Sequence, residues 1–516
     1  MILITSAAYV TPGLASEFGK LPPCMLPVQN RRLYEHQIKL FPLEEQIVLS
    51  LPKDYNLSSF DENRLRELGV DIILVPDGFS LGESIVYVLN VKSAYSEPIK
   101  ILHGDTLFKS IPKDDDVCAV SKPEDNYDWA SASTDMSTVY SGYFSFSNQS
   151  LLIHKITLNN YDFIKGIKAY DEVRPLKYQM IPDWMDFGLA NTYYRSVSKL
   201  TTERVFNNLN VSKHCVRKSS KNKNKIAAEA NWFKSLPPNL KKYAPSLWDE
   251  GEIEDCAFYE IEYYYLPSLA NLFVFGENKC FVWKEIINSC VDYLNNEIKY
   301  SPLNVEEIAI CNNRLYSEKT ISRLEDFSQI NKVDLDCSWK INNKYVSSIR
   351  TIVEETSSMI SKNDSRFVSL MHGDPCFSNI LYDFKSKSIK LIDPRGLDVN
   401  GRISIYGDFR YDVAKLAHSV LGLYDFIIGG IFQYHENSPY DLEFEIPINE
   451  EVRITQEYFK SLTFGEYTLS ELSTFPIMIN LFLSMLPLHR DNPMRQKALL
   501  ANALRLYLEM VEFNQK

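Results

Sequence analysis

Residues Phe367–Gly396 read FVSLMHGDPCFSNILYDFKSKSIKLIDPRG, and this segment sets the expected organisation of the second half of the chain. An apolar run ends in the tripeptide that carries Asp374, which is typical of a strand leading into a loop. Two further apolar runs, separated by a polar turn, follow Asn379 and predict a hairpin that delivers Asp393. The spacing therefore predicts that Asp374, Asn379 and Asp393 meet at one place.

Two carboxylates and one amide form the set of groups that phosphoryl transfer needs. One carboxylate accepts or orients the acceptor hydroxyl, while the amide oxygen and the second carboxylate hold magnesium on the phosphates. The pattern HGD, four residues and Asn, followed by an apolar strand and Asp-Pro, resembles the aminoglycoside phosphotransferase and choline kinase family. The resemblance implies a kinase-like fold for small-molecule substrates, with Asp374 as catalytic base and Asn379 and Asp393 as Mg²⁺ ligands. Taken separately, the same residue types are ordinary turn formers.

Length and composition limit the classes of function. The chain has 516 residues, enough for two or three domains, and a formal net charge of −12. This charge gives no general attraction to nucleic acid or to anionic membranes, and the apolar runs are too short to span a bilayer. The nine cysteines form no CxxC pairs, and we see no signal-peptide pattern. We therefore expect a cytoplasmic protein without nucleic-acid partners or membrane insertion.

The first 200 residues alternate apolar strands with segments of helical length. This alternation predicts an α/β layer structure with a mostly parallel, Rossmann-type sheet. Val70–Pro76 and Ile99–Leu102 are two of the expected strands. Ligands of such sheets collect at the carboxyl ends of the strands, and Asp105 stands just beyond one of those ends.

The same half resembles the sugar-phosphate nucleotidyltransferases in three segments. Leu21–Gln37, LPPCMLPVQNRRLYEHQ, is similar to the family's entry segment, a strand ends at Asp105, and Trp184–Gly188 reads WMDFG after Ser141–Phe146. The resemblance implies that Asp105 and Asp186 bind one Mg²⁺. That metal would bridge a nucleoside triphosphate and an attacking sugar phosphate while pyrophosphate leaves.

Two departures from the nucleotidyltransferase pattern leave an alternative open. The family's glycine-rich loop is not visible before Gly19, and Pro23 stands where the family has a lysine. Lys20, Arg31 or Arg32 would then have to supply the positive charge. The alternative is a domain that only binds a ligand next to a working kinase.

Residues 201–290 are typical of a small lobe with a strand, a helix and a hinge. A strand over His214–Lys218 is followed by a helical pattern that contains Glu229. In kinases a strand lysine holds the α- and β-phosphates and pairs with a glutamate of the next helix. Lys218 and Glu229 fit these roles, and Arg217 competes with Lys218 for the first. The basic run lacks interleaved aromatic residues, so it does not indicate a nucleic-acid site.

Residues 291–516 are predicted to be mainly helical apart from Phe367–Gly396. Apolar positions recur at three- and four-residue spacing in Trp283–Ile298 and in Tyr345–Ile360. Asp412 precedes the apolar pattern of a further helix. We expect it to cap that helix, which makes it a structural residue.

The two resemblances together predict a fusion: a nucleotidyltransferase-like domain, 1–200, then a bilobal protein-kinase-like α+β domain with a small lobe, 201–290, and a helical lobe, 291–516. They imply a bifunctional protein that phosphorylates a sugar, polyol or similar hydroxyl compound with ATP and Mg²⁺. It would then activate the product with CTP, UTP, GTP or dTTP, as in bacterial capsule and surface-polysaccharide biosynthesis. The alternative is an ATP-dependent small-molecule kinase with an inactive first domain. The sequence leaves a homo-oligomer open.

Overall fold

The computed structural model describes residues 1–514 apart from 43, 94, 96, 124–126, 128, 133–136 and 201–207. Within this part the chain forms two compact units. The first unit is Met1–Leu200 with Phe275–Glu277, and the second comprises the described residues of Thr201–Val274 and Asn278–Lys516. Over the described ranges, no helix combines the length and the apolar character that crossing a bilayer requires.

The first unit is built on a seven-stranded sheet in which one strand runs antiparallel to the others. The antiparallel strand is Val139–Phe146. In spatial order the strands are Lys177–Met180, Val117–Ser121, Val139–Phe146, Ile99–His103, Ile2–Thr5, Ile47–Pro52 and Val70–Val75. The α-helices are Pro12–Phe18, Leu33–Ile38, Ser59–Glu67, Leu81–Lys92, Gln149–Leu158, Phe163–Asp171 and Ala190–Lys199. Two short strand pairs are Pro27–Val28 with Arg31–Arg32 and Thr106–Leu107 with Met185–Asp186.

Register brings apolar side chains of neighbouring strands together in the core of the first unit. Leu3 lies opposite Val48 on one side and Ile101 on the other, and all three are fully buried. Such side chains suit a parallel sheet that is covered on both faces. The same pairing places the end of Ile99–His103, and with it Asp105, beyond the carboxyl edge of the parallel strands. The predicted α/β class with a mostly parallel sheet is confirmed.

The second unit contains a four-stranded antiparallel sheet with a helix packed on it. The helix, Lys223–Ser235, buries the apolar face expected from the sequence, including Ile226, Ala230 and Phe233. Asn222 caps this helix by accepting a backbone N–H of the first turn. In spatial order the strands are Asn208–Val211, Cys215–Ser220, Cys256–Glu262 and Leu247–Ile253.

The rest of the second unit is mainly helical, which confirms the predicted α+β class with a helical C-terminal part. One expectation is wrong: Tyr345 lies in the strand Lys344–Val346, and the helix there is Ile349–Ser358, which Ser348 caps. The other helices are Leu269–Phe275, Cys280–Glu297, Val305–Tyr316, Glu318–Asn331, Phe409–Val420, Tyr424–Gly429, Glu450–Lys460, Thr474–Ser484 and Pro493–Asn514. The other strands are Trp339–Ile341, Val368–Leu370, Ile380–Asp383, Ser388–Leu391, Tyr406–Asp408, Gln433–Ser438, Asp441–Glu445, Thr463–Phe464 and Tyr467–Thr468.

Gly82 lets the helix Leu81–Lys92 pack directly on backbone, because a Cβ there would overlap the carbonyl oxygen of Tyr161. We expect Gly82→Ala to destabilise the first unit by about 1–3 kcal/mol, since the helix must move to relieve the overlap. Calorimetry would register a lower unfolding midpoint. The control is Gly13→Ala, whose methyl group would lie 3.8 Å from the Cβ of Ala190, an ordinary contact. An unchanged midpoint for Gly82→Ala would contradict this packing.

Candidate active site

A buried carboxylate fixes the backbone of the turn His372–Asp374, which follows the strand Val368–Leu370. Asp412 accepts the N–H of His372 at 2.6 Å and the N–H of Gly373 at 2.9 Å. Asp412 is fully buried, and burial raises the pKa of its carboxyl group to about 7, although the two N–H donors act to lower it. The turn therefore has a defined position, because one side chain holds two of its amides.

Asp412 does not cap its helix, contrary to the expectation from the sequence. The helix is Phe409–Val420, and Asp408 caps it by accepting a backbone N–H of the first turn. The helix begins earlier than the apolar pattern indicates, because Phe409 and Tyr411 are buried as well. Asp412 therefore lies inside the helix, and its side chain accepts hydrogen bonds from the backbone of His372 and Gly373 instead.

Asp374, the predicted catalytic base, forms an ion pair with Lys415, whose Nζ lies 2.8 Å from Oδ1. Burial raises the pKa of Asp374, but the Lys415 ammonium outweighs burial, so the pKa lies below its usual value. The group is therefore a carboxylate at neutral pH and can accept a hydrogen bond from a hydroxyl. Asn379 lies beside it, because its Nδ2 donates to the backbone oxygen of Asp374 at 3.0 Å.

The hairpin brings Asp393 to the same end as Asn379. Its strands, Ile380–Asp383 and Ser388–Leu391, pair antiparallel along their whole length. Directly beyond them, the N–H of Ile392 donates to the carbonyl oxygen of Asn379 at 3.0 Å. The structure thus brings together the three polar residues that the sequence singled out.

A buried charge network joins Asp393 to the four-stranded sheet. Nζ of Lys218 lies 2.7 Å from Oε2 of Glu229 and 3.0 Å from Oδ1 of Asp393. Lys218 and Glu229 are 5% and 2% exposed, and Tyr259 donates its hydroxyl to Glu229 at 3.0 Å. Burial acts to lower the pKa of Lys218, but the two carboxylates outweigh it and raise the pKa, so the ammonium stays charged.

The loop after Asp393 packs tightly on the helix Lys223–Ser235. Asp393 and Gly396 both have left-handed φ angles, 58° and 62°. A Cβ on Gly396 would overlap the carbonyl oxygen of Ala228, the residue before Glu229. The backbone that carries Asp393 is therefore held against the helix that carries Glu229.

Several groups of the site are not evident from the sequence. Lys415 and Tyr259 contact predicted residues directly, and Asp412 orients the turn. One signal for Lys415 is present, since it is a charged residue inside an apolar helical pattern. Arg217, the alternative to Lys218 as the phosphate-binding residue, forms an ion pair of 2.6 Å with Glu260 of the adjacent strand.

In the first unit, Asp105 and Asp186 meet at a short two-stranded sheet. Thr106–Leu107 pairs antiparallel with Met185–Asp186, and the residue after Asp186 donates its N–H to the carbonyl oxygen of Asp105 at 2.8 Å. Both carboxylates face Gly188: a Cβ there would lie 2.8 Å from Oδ2 of Asp105 and 3.3 Å from Oδ1 of Asp186. Burial raises the pKa of Asp105, an effect that a bound cation would oppose.

An open cavity of about 350 Å³ reaches Asp186. It lies beyond the carboxyl ends of the parallel strands Val117–Ser121 and Lys177–Met180. Its lining includes one carboxylate, three cations and two tryptophans: Asp186, Lys122, Arg195, Lys199, Trp129 and Trp184. The two indole rings are 5.4 Å apart, edge to face. Cationic and aromatic groups together suit a ligand with phosphates and a flat ring.

The cations proposed to replace the missing lysine have partners elsewhere. The pairs are Lys20–Asp54 at 2.9 Å, Arg31–Glu35 at 2.9 Å and Arg32–Asp61 at 3.2 Å. Positive charge at the cavity comes from its own lining residues instead.

The donor atoms at both predicted metal sites are oxygens, which Mg²⁺ prefers. Asn379 uses its Nδ2 on Asp374, so its amide oxygen is the side-chain atom that could bind a metal. The backbone oxygen of Asn379 accepts from Ile392, the residue before Asp393. Among the residues that the structure describes, no group of three or more His, Cys, Asp or Glu side chains surrounds one metal position. The residues therefore fit a Mg²⁺ ion that takes its other ligands from phosphate and water.

No protein-family model and no curated protein matches the chain. A Bacillus anthracis protein assigned as a glucose-1-phosphate thymidylyltransferase, in complex with sucrose, is 13% identical over 39% of this chain and 96% of its own, with a TM-score of 0.32. HddC from Yersinia pseudotuberculosis is 16% identical over 39% and 99%, with a TM-score of 0.29. A thermostable mutant of aminoglycoside phosphotransferase APH(4)-Ia, with ADP and hygromycin B, is 11% identical over 59% and 92%, with a TM-score of 0.36. These identities and TM-scores are low. The fold class is therefore assigned from the strand order, and the site is described by the distances between its residues.

We expect Asp412→Asn to destabilise the second unit by about 1–3 kcal/mol. The two backbone N–H groups now donate to the two oxygens of a carboxylate, and an amide has only one oxygen. Chemical denaturation of the variant and of the wild-type protein measures the difference. Asp441→Asn is the control, since its carboxylate pairs with Lys340 near the surface and its loss should change stability little. Equal stability of Asp412→Asn and wild type would contradict the assigned role.

Proposed function

We propose that the second unit is an ATP-dependent phosphotransferase that phosphorylates a hydroxyl group of a small molecule. The observation that carries this proposal is the contact of Lys218 with both Glu229, at 2.7 Å, and Asp393, at 3.0 Å. A buried lysine held by a helix glutamate, beside a carboxylate able to bind a metal, is the phosphate-binding arrangement of kinases. In this proposal 201–290 forms the nucleotide-holding lobe and 291–516 the catalytic lobe.

Each residue has its own task in the proposed transfer. Asn379 and Asp393 would hold Mg²⁺, which neutralises phosphate charge when bound. Lys218 would bind the α- and β-phosphates, with Glu229 orienting its ammonium. Asp374 would accept the proton of the acceptor hydroxyl as the hydroxyl oxygen bonds to the γ-phosphorus and ADP leaves. Its lowered pKa supports this role because the group is ionised before substrate arrives.

For the first unit we propose nucleotidyl transfer to the phosphorylated product. Support comes from the two carboxylates facing Gly188 and from the cationic cavity that reaches Asp186. Asp105 and Asp186 would hold Mg²⁺ with CTP, UTP, GTP or dTTP. A phosphate oxygen of the product would bond to the α-phosphorus as pyrophosphate leaves. The alternative, a first unit that binds without turnover, is favoured by the missing glycine-rich loop.

A bifunctional protein of this kind would produce a nucleotide-activated sugar or polyol in the cytoplasm. The likeness of its motifs to proteins of bacterial capsule and surface-polysaccharide biosynthesis supports that setting. The kinase would supply the phosphomonoester that the nucleotidyltransferase consumes, which gives the fusion a chemical rationale.

We expect ATP with Mg²⁺ to raise the unfolding midpoint of the wild-type protein, since ligand at about 100 times its dissociation constant stabilises by about 2.7 kcal/mol. Asp393→Ala should abolish this shift by removing the metal ligand. Asp374→Ala should keep the shift and lower phosphotransfer by about 10²–10⁴-fold, because it removes the base but not the nucleotide site. Asp105→Ala is the control and should respond to ATP as wild type does. Full protection of Asp393→Ala by ATP would refute the assignment.

For the first unit, we expect Asp105→Ala and Asp186→Ala to abolish pyrophosphate release from one of CTP, UTP, GTP or dTTP in the presence of the phosphorylated acceptor. Each substitution removes one of the two carboxylates that would hold the metal. The kinase step, measured as ADP release, should be unaffected in both variants. Pyrophosphate release at the wild-type rate in both would refute this site, and its absence from wild type would favour the binding-only alternative.

A further inference from the structure

Four cationic side chains of the second unit lie near one another, and Lys319 interacts electrostatically with Arg323, Arg395, Lys415 and Asp374. Lys319 and Arg323 stand one turn apart on the helix Glu318–Asn331 and so share a face. Arg395 packs on the turn before Asp374, since a Cβ on Gly373 would lie 2.6 Å from its Cβ. Lys415 reaches Asp374 from the helix Phe409–Val420.

Three of these cations have no carboxylate partner among the described residues. Arg323 donates to the backbone oxygen of Ser484 at 3.0 Å, and the guanidinium of Arg395 lies 5.7 Å from the ring centre of Tyr411. In the described part of the unit, Lys319, Arg323 and Arg395 make no ion pair, whereas Lys415 pairs with Asp374. Near Asp374, cationic side chains therefore outnumber the carboxylates that pair with them.

The remaining acidic groups nearby do not balance this excess. Asp412 is engaged with two backbone N–H groups, and burial raises its pKa to about 7. Asp425 is buried, which raises its pKa to about 6. Asp393 and Glu229 share the ammonium of Lys218. None of these carboxylates neutralises the cluster of Lys319, Arg323 and Arg395.

The excess charge has a cost for the protein without ligand. Burial, together with repulsion from Arg395, Arg323 and Lys415, lowers the pKa of Lys319 to about 7. Lys319, Arg323 and Arg395 are half-buried. Partly buried cations without a counter-charge are less favourable than paired ones, and an anion that joins them stabilises the fold. Guanidinium groups present paired N–H donors that match the oxygens of phosphate and carboxylate.

We propose that the hydroxyl compound phosphorylated at Asp374 is an anion, a phosphate- or carboxylate-bearing sugar or polyol, whose charged group binds Lys319, Arg323 and Arg395. This inference rests on the proposed phosphotransferase function and specifies its acceptor. A cationic acceptor such as an aminoglycoside would meet repulsion at the same place. The anion would hold the acceptor while a separate hydroxyl faces Asp374.

The test measures ADP release by the full chain from ATP and Mg²⁺ with defined probes. Hexose monophosphates and hexuronic acids are the anionic probes, and the parent hexoses and an aminoglycoside are the neutral and cationic ones. We expect turnover with an anionic probe. Lys319→Gln and Arg323→Gln should each raise its KM at least about tenfold with little change in kcat, since each loses a charged hydrogen bond. Lys344→Gln, which alters an exposed pair with Glu512, is the matched control.

A second measurement separates ligand binding from a structural role. Lys319→Gln should unfold at the wild-type temperature or above it without ligand, since it removes a repulsive charge. Inorganic phosphate and hexose monophosphates should protect wild type against heat but not Lys319→Gln, even where no probe is turned over. If neutral or cationic acceptors are preferred, or if anions do not protect the wild-type protein against heat, the proposal of an anionic acceptor is wrong, but the phosphotransferase proposal is not affected. Absence of protection by ATP would overturn the phosphotransferase itself.

Discussion

The ammonium group of Lys218 is the constraint on which the second unit depends. A charge removed from water must be met by opposite charge, so the strand that carries Lys218 must meet both Glu229 and Asp393. These carboxylates come from a helix and from the end of a distant hairpin. Gly396 permits the approach, because a side chain there would strike the backbone beside Glu229. One buried cation thus ties the four-stranded sheet to the hairpin that follows the turn His372–Asp374.

Backbone hydrogen bonds, rather than charge, set the rest of the site. Asp412 holds two amides of the turn, and Asn379 binds the carbonyl oxygen of Asp374. These bonds fix the backbone that carries Asp374 and the side chain of Asn379, and they use neither the Asp374 carboxylate nor the Asn379 amide oxygen. The Lys415 ammonium then lowers the pKa of Asp374, whose side chain is partly exposed. Orientation and ionisation are therefore maintained by different residues.

Local patterns allowed the sequence to predict part of this site. Asp374, Asn379 and Asp393 follow one another along a strand, a loop and a hairpin, so their spacing brings them together. The contacts that Lys415 and Asp412 make with the turn His372–Asp374 depend on how a later helix packs against it. The spacing of apolar residues along the chain does not show this packing. Apolar periodicity does not show which residue caps a helix, so two predicted helix starts are wrong. Ser348 caps a helix that begins later than predicted, at Ile349, and Asp408 caps one that begins earlier, at Phe409. The parallel sheet was predictable because central strands such as Ile2–Thr5 and Ile47–Pro52 are largely apolar runs.

The cationic cluster beside Asp374 has a kinetic consequence, because the chain as a whole carries a net charge of −12. At physiological ionic strength a field decays over about 8 Å, so a diffusing anion senses mainly the charges nearest to it. The net charge repels an anion on average, whereas the charges near Lys319 and Arg323 attract it. For the anionic acceptor proposed at this site, the local charges therefore favour approach beside Lys319 and Arg323 over approach to the acidic parts of the surface.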